Sequence, residues 1–110
     1  MATPEPGLDR HDWESEYAAV EEDLETDPVA ALAELERLVE RMLREQGYAI
    51  DDPVEESGEE RDVVAEFEAA RELTTQVSVA GDACDPGDVA SAINGLRSIY
   101  DYVIAERAAP

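Results

Sequence analysis

Asp27–Gly47, DPVAALAELERLVERMLREQG, is the stretch around which the other segments of the chain organise. Leu32, Leu35, Val39 and Met42 recur at alternating three- and four-residue steps, and Ala31, Leu38 and Leu43 widen the stripe. Such a period is that of a helix with one buried face. Glu34, Arg37, Glu40, Arg41 and Arg44 take the opposite side. Asp27 can accept from the free N–H groups of a first helical turn, and Pro28 brings the φ of a first helical position. Gly47 can adopt the left-handed stop, so both ends are written locally.

The flanking segments read as partners for that buried face. Asp9 with Asp12, and Leu8 folding toward Trp13, predict a helix start, after which Trp13, Tyr17, Val20 and Leu24 continue the period to about Glu25. Residues 1–8 read as a flexible tail. After Gly47, Tyr48 is expected to pack back on the last turn and Ile50 to pin the loop. Ser57 with Glu60 has the form of a capping box for a third helix whose inner face holds Val63, Val64, Phe67, Ala70, Leu73, Thr74 and Val77. The β-branched run from Thr74 to Val79 predicts a weak last turn, stopped by Gly81.

The Asp-rich segment 81–88 lacks the oxygen-ligand order and the terminal Glu of a Ca²⁺ loop. Asp85 as N-cap, Pro86 in the first position, Asp88 and a Cys84–Val89 staple make it a helix start instead. The last helix places Val89, Ile93, Leu96, Tyr100 and Val103 inward. Asn94-Gly95 is ordinarily a hairpin signal, but the surrounding period is helical and overrules it.

The fold class is therefore all-α: an antiparallel bundle of four helices, about 9–25, 28–46, 58–80 and 86–107, in a single domain spanning 9–110. Its expected core is Leu32, Leu35, Val39, Met42, Phe67, Ile93, Leu96 and Tyr100. Aromatics make up only 5% of the 110 residues, which suits helix-on-helix packing.

The formal net charge of -21 comes from 29 acidic and 8 basic residues, and every basic residue is Arg. Nucleic acid and anionic membranes would be repelled. A salt-adapted or high-GC source accounts for such a composition; so does a docking surface for a basic partner, or mimicry of nucleic-acid charge. One Cys and one His are poor material for a nucleophile–base pair or a zinc site. No cofactor is implied. No signal-like N-terminus or membrane-length apolar run is seen, and a cytoplasmic location is expected.

Carboxylate spacing is the best enzymatic lead. Glu21-Glu22-x-x-Glu25 and Glu59-x-x-Asp62 resemble in form the EExxE and ExxD motifs of the all-α nucleotide pyrophosphohydrolases. That resemblance implies helical acids holding Mg²⁺ against a triphosphate. The chain departs from the pattern in the longer separation of the motifs, in a Glu59 that falls in a capping turn, and in having no Lys. A broader resemblance, carried by Trp13, Asp27-Pro28, Leu38-Val39 and Asp88-Val89…Leu96-Arg97…Tyr100, is to small helical proteins of actinobacteria. It implies architecture and no activity.

A second stripe on the last helix holds Ser91, Gly95, Ser98 and Tyr102. Gly within a helix costs about 1 kcal/mol relative to Ala, so Gly95 asks for a close neighbour. That neighbour is either another helix of the chain or a second copy or protein partner anchored by Tyr102. The expected function is a non-catalytic protein-interaction module, with or without homodimerisation. The alternatives are the Mg²⁺-dependent hydrolase and a small apolar-ligand binder.

Overall fold

The computed structural model describes residues 8–48, 50 and 59–108. Four helices form: α1 (Leu8–Thr26), α2 (Pro28–Glu45), α3 (Glu59–Ala80) and α4 (Pro86–Ala108), with a short 3₁₀ turn at Gly81–Ala83 before α4. The all-α bundle is as the periodicity predicts, with boundaries within a residue or so.

Local chemistry explains most of those boundaries. The Asp27 carboxylate accepts from the Ala30 N–H at 3.3 Å, and Pro28 follows as the first helical residue. At the other end of α2, Gly47 takes φ +88°. Its N–H reaches the Arg44 carbonyl at 3.0 Å, and the Tyr48 N–H reaches the Leu43 carbonyl at 2.9 Å. This pair of bonds satisfies two of the last carbonyls and turns the chain away. The Asp85 carboxylate likewise caps the start of α4, accepting from the Gly87 N–H at 2.7 Å. Helix α1 begins at Leu8, so Asp9 lies inside the first turn and not in the cap position. The Ser57 capping box falls outside the described residues.

The end of α3 falls where expected, at Gly81. The helix runs unbroken through the β-branched segment to Ala80, and only then does Gly81, at φ +57°, end it. Thr74 and Thr75 donate their hydroxyls to the carbonyls four residues back, at 2.8 and 3.1 Å. Buried Thr74 thus satisfies its hydroxyl within its own helix, and Val77 stays in the core.

Side-chain pairs give the directions of the helices. Trp13 meets Glu45 and Glu16 meets Arg41, so α1 runs antiparallel to α2. Tyr17 meets Tyr100 and Glu21 meets Arg97, so α1 is also antiparallel to α4. Consequently α2 and α4 are parallel to each other, consistent with Tyr48 at the end of α2 bonding to Glu106 at the end of α4. These two form a packed central pair. Helix α3 packs on both from one side, and α1 seats on both from the other. The arrangement is a bundle with alternating helix directions, flattened so that one diagonal, α2–α4, closes.

The core follows from this layout. Leu32, Leu35, Val39, Met42 and Leu43 of α2 are completely buried, as are Phe67 of α3 and Leu96 and Val103 of α4. Ile50 is buried beside them, pinning the connection after α2. Of the expected core, only Ile93 is half-exposed. Helix α1 adds Trp13, Val20 and Leu24.

Candidate functional site

The two acid motifs are placed on helices that lie on opposite sides of the α2–α4 pair. Glu22 and Glu25 on α1 and Asp62 on α3 are exposed. Glu59 opens α3, and its side chain lies outside the described residues. Among the described acids of these motifs, Glu21 alone is held by a specific partner: both its carboxylate oxygens are taken by Arg97, with Nε at 2.9 Å from Oε1 and Nη2 on Oε2. Among the described residues no group of three or more His, Cys, Asp or Glu converges as a metal site would require. The structure therefore does not bring Glu21, Glu22, Glu25 and Asp62 to one centre.

The second stripe is divided as well. Gly95 faces α3, and a Cβ built there would stand 3.5 Å from the Ala70 Cβ, an ordinary van der Waals separation. A neighbour within the same chain thus occupies the close approach that Gly95 allows. Ser91 and Ser98 point to solvent, and Tyr102 is half-buried against the core.

The most organised polar cluster joins α1 to α4. The rings of Tyr17 and Tyr100 stack with centroids 3.7 Å apart and planes 7° from parallel. Glu21 lies one turn beyond Tyr17, and Arg97 one turn before Tyr100, so each helix contributes one aromatic and one charge at helical spacing. Burial pushes the Tyr17 hydroxyl well above the ordinary phenol range, and its hydrogen bond to Glu21 pushes the same way. Burial opposes the charge of Glu21, yet the hydrogen bonds from Arg97 and Tyr17 outweigh it and hold the carboxyl below its usual value. The bond to Glu21 raises Arg97 in turn. The cluster is a charge-assisted clamp. It was missed from the sequence, where the signal available was Arg97 itself, a cation three residues before Tyr100 on the flank of an apolar stripe.

A second clamp sits between α2 and α3. Arg71 reaches Glu40 at 2.7 Å and Glu36 at 3.5 Å, and its guanidinium lies 5.3 Å from the centre of the Phe67 ring. Burial raises the Glu36 carboxyl, and Arg71 offsets this only in part. At the far end of α1, the Trp13 Nε1–H donates to Glu45 at 2.7 Å, and Arg41 bridges to Glu16 at 2.9 Å. Buried Trp13 thereby satisfies its one polar atom.

Two surface depressions accompany these contacts. One, of about 230 Å³, is lined by Gln46, Gly47, Tyr48 and Glu106. The other, of about 300 Å³, follows the α1–α2 seam over Ala19, Val20 and Leu38, rimmed by Glu16, Glu34, Arg37 and Arg41. Neither gathers a nucleophile, a base and an orienting group.

Fold and contacts together define a small all-α four-helix bundle whose ionic clamps tie helix to helix. Compared with protein-family models, with curated proteins and with solved structures, the chain matches none. No helix among the described residues is long and apolar enough to cross a membrane.

Proposed function

We propose that this protein is a non-catalytic, cytoplasmic interaction module that binds a basic surface on another protein. The observation that carries this reading is how the charge is distributed. Among the described residues, Arg41, Arg44, Arg71 and Arg97 pair with Glu residues of the bundle itself. The acidic excess is thus left to the outer surface, most of all on α1, where Asp12, Glu22, Asp23 and Glu25 are exposed. A field of one sign steers a partner of the opposite sign and rejects like-charged ones. A second copy, also at -21, is disfavoured by the same field.

Partners captured with the full chain supply the test. A basic protein should be recovered, and its affinity should fall at least about tenfold when Glu22, Asp23 and Glu25 are replaced by their amides, and again on raising salt. Undiminished binding by that variant would reject the acidic surface as the docking site. Separately, millimolar Mg²⁺ or Mn²⁺ should support no hydrolysis of nucleoside triphosphates. Turnover abolished by both Glu22→Gln and Asp62→Asn would put the hydrolase reading first.

A further inference from the structure

We propose that α1 is a displaceable helix, latched to the α2–α4 pair by the Tyr17–Glu21–Arg97–Tyr100 clamp, and that it opens as a unit while α2, α3 and α4 stay packed. Burial is the first ground. Among the described side chains, α1 buries Trp13, Val20 and Leu24, whereas α2 buries seven and α3 and α4 six each. Elements with few buried apolar side chains are the ones that open below the global unfolding transition.

Connectivity is the second ground. Only Asp27 separates α1 from α2, with φ -148° and ψ 85°, outside the helical region, and Pro28 beyond it holds the start of α2. Rotation at Thr26–Asp27 would swing α1 away without disturbing a single bond inside α2. Charge is the third. Helix α1 carries eight carboxylates and one Arg, against three carboxylates and two Arg on α4. Self-repulsion is therefore concentrated on the element with the least apolar hold.

The clamp opposes that repulsion. Arg97 sets two hydrogen bonds on Glu21, and the stacked tyrosines fix the helices at the same level. At the other end, the Trp13–Glu45 and Glu16–Arg41 contacts hold the helix to α2. Opening would bare the apolar surface of α2 and α4 that Trp13, Tyr17, Val20 and Leu24 cover. Nothing in this step needs a partner, so it stands apart from the proposed binding role.

Hydrogen exchange followed by mass spectrometry on the full chain tests it. In the wild type, amides of 11–26 should exchange at least about tenfold faster than those of 32–43, 63–77 and 89–103. Arg97→Gln should speed the α1 amides by a further factor of about ten and leave the other three helices unchanged. Arg71→Gln, which cuts the α2–α3 clamp, should leave α1 as it was. Exchange of α1 in step with the rest of the wild-type bundle would overturn the proposal, even if the Arg97 variant failed to fold. So would an Arg97 variant that accelerates all four helices alike.

Discussion

Helices α1 and α4 seat on the same central helix, yet they are built on opposite terms. Of the α4 side chains, Val89, Ala92, Leu96, Ile99, Tyr100 and Val103 are buried, because α4 packs along α2 and α3 and is met by α1 at Tyr100 and Arg97. Among the described residues, helix α1 has a narrower seam, Trp13, Val20 and Leu24 with half-buried Tyr17, and carries exposed carboxylates at Asp12, Glu14, Glu16, Glu22, Asp23 and Glu25. Its position depends on a few large groups and on ionic clamps, and that of α4 on many small contacts. The contrast shows how a chain at -21 can fold: the charge gathers where little apolar surface has to be covered, and the element that bears it is pinned by cations from elsewhere in the bundle.

If α1 hangs on few anchors, removing one should be severe. Trp13→Ala deletes a fully buried indole and its bond to Glu45, and is expected to cost about 3–5 kcal/mol in denaturant unfolding. A loss below about 1 kcal/mol would mean that α1 adds little to the cooperative fold, and would widen the contrast with α4.

On the α4 side the sensitive position is Gly95. Leu there must push against Ala70, an overpacking expected to cost about 1–3 kcal/mol with the mass in solution unchanged. Unaltered stability with a changed mass would instead make this face an interface between molecules. Gly95→Ala, whose methyl fits at ordinary contact distance, should stabilise by about 0.5–1 kcal/mol.

A gentler probe is salt. Screening shortens the reach of like-charge repulsion to about 8 Å at physiological ionic strength, so added NaCl should raise the Tm. A rise of about 5 °C would correspond to ~1 kcal/mol in a domain of this size. The rise should shrink when Glu22, Asp23 and Glu25 are replaced by amides. An equal response in that variant would show that the burden is spread over the whole surface and is not centred on α1.

The amino-acid sequence alone determined the inner faces of the helices, both ends of α2 and the start of α4. Asp27-Pro28, Gly47 and Asp85 act on backbone groups within a few residues, and the stripe through Leu32, Leu35, Val39 and Met42 repeats every turn, so both are local signals. How buried Thr74 is satisfied already needed more, because its hydroxyl bonds to the Ala70 carbonyl inside the packed bundle. Tertiary structure alone decided what each face meets. Glu21 and Arg97 stand 76 positions apart, and nothing in the spacing of either helix selects the other. The same holds for Gly95: its missing side chain announces a close neighbour, but only the packing of α3 against α4 makes that neighbour Ala70. Local caps and periods act over one or two turns, whereas the pairing of faces depends on how all four helices divide a single core.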